Sequence, residues 1–279
     1  MTSGLDGSAS SGTGAETGVP PVRAGRAGAC VVGLGACVVV PVGPGVPVRM
    51  ALVGLGVVLL AAWAGVLRSA AAVRAAVFAG PLFGCLAVGM LSGWPPAVTT
   101  VLVCVLPLGC LLLAGRHAAL GPAAPWLRRG SPTAGTLWLS LATVVLSALA
   151  LTAWALGVRP EPAEYLRELQ RLPLGLAILG IVAFALVNAV WEEALFRGVL
   201  LTEPASAWGT GAAVVLQALL FGAAHFGGFP SGFTGVFMAG AWGFALGVLR
   251  VRSGGILVPY LVHVAADAVI GTLAVLILR

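Results

Sequence analysis

Apolar residues run through this chain in blocks rather than at alternating or helical-face positions, and most blocks approach the roughly 20 residues that an α-helix needs to cross a bilayer. Such runs fall near 28–47, 49–67, 72–93, 97–114, 133–157, 174–201, 210–226, 233–250 and 255–278. Pro41, Pro44 and Pro47 interrupt the second half of the first run, so that segment is expected to be short, bent or re-entrant, giving eight or nine spans. The predicted fold is all-α, a polytopic transmembrane helical bundle.

Two polar stretches break the pattern. Residues 1–26 are rich in Gly, Ser, Thr, Ala and Pro without apolar periodicity and read as a disordered N-terminal tail. The first apolar run begins after Arg26, late for a signal peptide, and the tail is expected to stay attached. The second break, 159–172, is the one dense charge cluster; Leu166, Leu169 and Leu172 share a helical face there, which predicts a short amphipathic helix in the membrane interface. The expected organisation is the tail at 1–26, N-terminal spans with the interfacial helix over 27–173, and a core over 174–279.

Composition agrees with the pattern. Hydrophobic residues make up 59% and charged residues 9%, against about a quarter charged in soluble domains. The net charge of +6 comes from arginines scattered singly between apolar runs, with no basic face of the kind that nucleic-acid binding requires. With nine spans and the N-terminus inside, the cytoplasmic side collects Arg23, Arg26, Arg68, Arg74, Arg116, Arg128, Arg129, Arg250 and Arg252, while Arg49, Arg159, Arg167, Arg171 and Arg279 fall outside. The positive-inside rule then favours a cytoplasmic N-terminus. The five cysteines lie in apolar runs without metal-ligand clustering and read as free thiols.

Against this background three acids stand out inside predicted spans: Glu192, Glu193 and Asp267. A carboxylate near the bilayer centre costs about 3 kcal/mol on insertion scales, so each is a functional candidate with a partner to be named. Glu193 and Arg197 are four apart and share a helical face, whereas Glu192 points elsewhere and lacks a local counter-charge. His225 ends the next span in Leu220-Phe-Gly-Ala-Ala-His-Phe226. Counted from the intervening turn, Glu192 and His225 stand roughly 18 and 22 Å up their helices, so the two are expected to meet at similar depth. His263 and Asp267 are again four apart on one face, while His117, beside Arg116, reads as a solvated bystander. Gly243 and Gly247 form a GxxxG expected to serve helix packing, and the Gly227–Phe233 loop is expected to be a plain turn.

Glu-Glu-x-x-x-Arg at 192–197, Phe-x-x-x-His at 221–225 and His-x-x-x-Asp at 263–267, in this order on successive spans, resemble the CPBP family, the CAAX proteases and bacteriocin-processing enzymes also called Abi. The resemblance covers about 174–278. It implies an intramembrane endopeptidase acting on a membrane-associated protein or peptide, with no nucleic-acid partner, in the bacterial plasma membrane. It further implies that Glu192 and His225 activate a water, that His263 with position 267 stabilises the oxyanion, and that Glu193, Arg197 and Phe221 support them. The best-studied CAAX-type members carry Asn where this chain has Asp267. An ionised carboxylate cannot donate to an oxyanion, so Asp267 is either protonated, a metal ligand, or, as we prefer, an acceptor that orients His263.

Three other readings remain open at the sequence level. Glu192, His225, His263 and Asp267 are also a plausible zinc ligand set, although no His-Glu-x-x-His pairing puts two ligands on one helical turn, and no cofactor is the favoured expectation. Buried Glu, His and Asp also suit a proton-coupled transporter, but no inverted repeat with broken helices is visible. The last is a non-catalytic membrane partner acting in immunity or signalling.

Overall fold

The computed structural model describes residues 21–39, 47–122, 124–161 and 164–278. Among the described residues the chain is helical with no strand. Its helices are α1 (Pro21–Val39), α2 (Pro47–Leu67), α3 (Ala70–Ser92), α4 (Pro96–Ala114), α5 (Ala134–Val158), α6 (Glu164–Arg171), α7 (Leu174–Glu193), α8 (Leu200–Trp208), α9 (Thr210–Ala224), α10 (Gly232–Ser253) and α11 (Leu257–Leu276). A π-helical turn over Ala194–Val199 joins α7 to α8, so the two run as one span over Leu174–Trp208. Among the described residues nine helices are long and apolar enough to cross a membrane, the upper of the two expected counts.

Several boundaries move. Residues 21–26, expected in the tail, already belong to α1, because Ala and Arg there carry good helix propensity and Arg23 is tied to the Leu67 carbonyl at 2.7 Å. The rest of the expected tail, like Pro41 and Pro44, lies outside the described residues, while Pro47 opens α2 as a helix-compatible first residue. The span expected to end at 201 continues to Trp208, with Pro204 accepted one turn into α8.

Arg74 and Arg250, counted among the charges that flank the spans, lie inside α3 and α10. Arg74, in the second turn of α3, donates from Nε and Nη2 to both oxygens of Glu203 at 2.7 and 2.6 Å, and from Nη1 to the Leu120 carbonyl. Glu203 is 3% exposed, so this fork pins α3 to α8 where an unpaired carboxylate would be costly. Arg250 is buried near the end of α10.

Contacts between helix ends define the two ends of the bundle. At the first, Arg23 meets the end of α2, and the connection before α5 docks on the α10–α11 turn through Ile256 N–H to Arg128 carbonyl (2.9 Å) and Ser131 N–H to Ser253 carbonyl (2.8 Å). Trp126 from this connection is 1% exposed and packs on Gly198, where a Cβ would lie 2.7 Å from the indole. At the second end, Gln170 of α6 donates to the Ala274 and Leu278 carbonyls, and Trp154 of α5 meets Phe229 edge-on, centroids 5.0 Å apart.

The amphipathic helix forms as α6, but its apolar face is partly taken by protein. Leu166 is buried and Leu169 packs with Ala177, Ile181 and Val275 of α7 and α11. The GxxxG acts in packing as expected: Gly243 sits against Phe221 and Gly247 against Gln217, whose side-chain amide donates to the Gly243 carbonyl at 2.8 Å. Gly222 faces the Val236 carbonyl, 2.6 Å from where a Cβ would stand, so α9 and α10 approach at backbone distance. All five cysteines are free, Cys30 and Cys85 buried and the others half-buried. His117 is exposed, and its Nδ1 accepts from the Ala119 amide.

Candidate active site

The π-helical turn begins directly after Glu193. Arg197 falls within this turn, four residues after Glu193, and its side chain is wholly buried. Nη1 of Arg197 is 2.9 Å from Oε1 of Glu193, which makes the expected pair. The guanidinium nitrogens are not aligned for hydrogen bonds with that oxygen. Its carbon instead stands 4.4 Å from the centroid of the Phe221 ring, a cation–π contact inside the protein.

Glu193 has a second partner that the sequence did not suggest. His263 Nδ1 donates to Glu193 Oε1 at 2.8 Å, so one carboxylate oxygen holds both the arginine and the histidine. On the other side of the ring, His263 Nε2 faces Glu192 Oε2 at 3.5 Å and Asp267 Oδ1 at 3.7 Å. The orienting role that we preferred for Asp267 is therefore filled by Glu193, because a 3.7 Å separation is beyond hydrogen-bond range.

Asn188, one turn before Glu192, is the residue that sequence reasoning passed over. Its Nδ2 donates to Glu192 Oε1 at 3.1 Å and to Asp267 Oδ2 at 3.2 Å, while its Oδ1 accepts from the Trp191 indole at 3.0 Å. The amide thus ties α7 to α11 and fixes both carboxylates. The signal was available in its position four residues before Glu192 on the same helical face, but a lone Asn in an apolar run carries no charge to betray it.

His225 ends α9 and is half-buried. Its Nδ1 donates to the Phe221 carbonyl at 2.8 Å, and its ring packs on that of Phe221 with centroids 4.4 Å apart. In the neutral ring this leaves Nε2 as an acceptor. The expected direct meeting of Glu192 and His225 is absent: among the described residues neither a hydrogen bond nor an ion pair joins them. Phe221 occupies the centre instead, touching Phe196, His225, His263 and Arg197.

A cavity of about 530 Å³ opens beside this cluster, with His225, His263 and Asp267 in its wall. The rest of its lining is mainly apolar and comes largely from α5 and α10, with Phe221, Ala266, Ile270 and the Phe229-Pro230 segment. The loop read as a plain turn is thus also part of the cavity wall. Among the described residues no three His, Cys, Asp or Glu side chains converge as a metal site requires. Both imidazole Nδ1 atoms point away from such a centre, onto Glu193 and the Phe221 carbonyl.

The arrangement can hold protons and exclude bulk water. Oε2 of Glu192 and Oε2 of Glu193 are both buried without a hydrogen-bond partner. No curated protein and no solved structure matches the chain. Residues 173–269, which carry the polar side chains of this cluster, match the family model described as type II CAAX prenyl endopeptidase Rce1-like, so this region of the chain is similar to the CAAX proteases.

Proposed function

We propose that the protein is a metal-independent intramembrane endopeptidase in which Glu192 and His225 activate a water that attacks a peptide carbonyl in the cavity, and His263 stabilises the oxyanion. The observation that carries the reading is the contrast between the two adjacent glutamates. Glu193 holds both Arg197 and His263 on Oε1, whereas Glu192 pairs with no arginine among the described residues and turns Oε2 towards Nε2 of His263 at 3.5 Å.

Proton accounting supports the roles. With Nδ1–H given to Glu193, Nε2 of His263 and the oxygens of Glu192 and Asp267 would be three acceptors facing one another across 3.5 and 3.7 Å. They coexist without repulsion once a proton sits among them, and an N–H at Nε2 is the donor that a developing oxyanion needs. Asn188 fixes the two carboxylates while the chemistry proceeds, and the apolar cavity keeps bulk water from competing. Asp267 serves as an anchor of Asn188 and a counter-charge for His263. Water attack forms the C–O bond as Glu192, assisted by His225, accepts the water proton; collapse of the tetrahedral species breaks the C–N bond as that proton passes to the leaving amine.

The test is cleavage in proteoliposomes by the wild type, Glu192→Ala and His225→Ala, with and without exhaustive chelation. The reading expects both variants to lose turnover while still inserting and folding, and chelation to leave the wild type active. Loss on chelation with rescue by zinc would replace it with a metal-dependent mechanism.

A further inference from the structure

Arg250, in the last turn of α10, is only 7% exposed, yet its guanidinium makes neither a hydrogen bond nor an ion pair among the described residues. Of its three nitrogens Nε is the one fully enclosed, so the two Nη atoms are left facing outward. Arg128 lies against the same turn: its Nε donates to the Gly254 carbonyl, and the Gly254 N–H donates to the Arg250 carbonyl at 3.1 Å. The two guanidinium charges repel each other. Glu193 attracts Arg250 from beyond ion-pair distance, but its Oε1 already holds Arg197 and His263.

This pair stands at the depth of the lipid headgroups. α10 has 22 residues, about 33 Å at 1.5 Å per residue, slightly more than a hydrocarbon core of about 30 Å, which brings its last turn to the headgroup layer. α11 starts at Leu257 just beyond, and the N–H groups of Leu257 and Val258, which have no acceptor within the helix, point back towards the turn. Two guanidinium groups beside a helix N-terminus are a donor set for phosphate oxygens. Around the same turn Leu127, Val251 and Leu257 are exposed. A soluble anion gains nothing from such a rim, whereas an acyl chain packs on it.

From the unpartnered, nearly buried Arg250 beside Arg128 at headgroup depth we infer that the α10–α11 turn binds the phosphate of an anionic phospholipid, with its acyl chains against Leu127, Val251 and Leu257. A guanidinium buried beside a second cation without a counter-charge is costly, and a phosphate between the two removes both the repulsion and the unmade hydrogen bonds. The general excess of arginine at this end of the bundle does not require such a ligand, because Arg116, Arg129 and Arg252 are exposed and satisfied by water. None of these residues lines the cavity, and the site does not depend on the protease reading.

The experiment is a titration of the purified full chain with dioleoyl phosphatidylglycerol or dioleoyl phosphatidylcholine, read as bound lipid by native mass spectrometry. Phosphatidylglycerol is expected to bind the wild type about tenfold more tightly, and Arg250→Gln or Arg128→Gln to remove that preference, the loss expected from a hydrogen bond to a charged group. Arg116→Gln, at the same end but away from the turn, is expected to keep it. Equal affinity for the two lipids overturns the site, and an equal loss in Arg116→Gln overturns it in favour of diffuse surface charge. Inorganic phosphate is the arm that separates the sources: displacement of phosphatidylglycerol by an equimolar amount makes this a soluble-anion site and overturns the lipid, while retained lipid supports it. Should Arg250→Gln fail to accumulate, Arg128→Gln at its exposed position carries the same outcomes.

Discussion

His263 and Arg197 share one oxygen of Glu193, at 2.8 Å from Nδ1 and 2.9 Å from Nη1. The glutamate is therefore both the counter-charge of a fully buried arginine and the group that sets the histidine's tautomer. Removing it does two separable kinds of damage. Glu193→Ala leaves Arg197 buried without a counter-charge and is expected to cost about 3–5 kcal/mol of stability, read as a lower apparent Tm in detergent. Glu193→Gln keeps an acceptor for His263 while losing the charge, and is expected to cost less. Equal Tm values for Glu193→Ala and wild type would remove the pair from the stability of the fold.

Asn188 offers the cleanest probe of positioning. Asn188→Ala deletes the amide between Glu192 and Asp267 without changing net charge. A displacement of about 1 Å at a reacting group costs on the order of 10²-fold in rate, so kcat is expected to fall by about that factor with little change in Tm. Steady-state kinetics on a cleavable peptide, paired with thermal unfolding, separates this from a structural defect. Unchanged kcat would mean that Asn188 only packs.

The Arg74–Glu203 fork lies away from the cavity and should act on stability alone. Either Arg74→Ala or Glu203→Ala is expected to lower stability by about 3–5 kcal/mol by stranding the other charge, and the double replacement Arg74→Met with Glu203→Leu to recover most of it. A double-mutant cycle on unfolding in detergent checks this. Single variants that unfold like the wild type would contradict it.

Close approach of α9 and α10 depends on glycine. Gly222→Val places side-chain atoms on the Val236 carbonyl, 2.6 Å from the first of them, and cannot be relieved by rotating a side chain. Displacing α9 moves Phe221 and His225 with it, so the expected outcome is loss of activity together with reduced thermal stability. Gly157→Ala, at a position with nothing within 4 Å of a Cβ, is the matched control and should behave as wild type.

These relationships also separate what the sequence makes legible from what it hides. Span number and order follow from run length, because a lipid environment demands helices of a fixed length. Glu192, Glu193, Arg197, His263 and Asp267 were found because charge in an apolar run is conspicuous, and helical spacing correctly joined Glu193 to Arg197. Partners on different helices were not legible. The bond of Glu193 to His263 spans 70 residues of sequence, and Asn188 is inconspicuous until α11 brings Asp267 to it. Arg74 illustrates the reverse error: near a span end an arginine reads as a loop charge, and only the packing of α8 against α3 reveals its buried partner. The π-helical turn leaves no mark in hydropathy, since all but one of its residues suit an ordinary α-helix.

The account stands or falls on Glu192 as the group that activates water. The most direct measurement compares the peptide termini present in membranes holding the wild-type protein with those holding Glu192→Gln, a change that keeps size and the hydrogen bond from Asn188 while removing the base. The account predicts one or more new termini with the wild type that vanish with Glu192→Gln at equal protein level and equal Tm. The same set of termini in both membranes would contradict it.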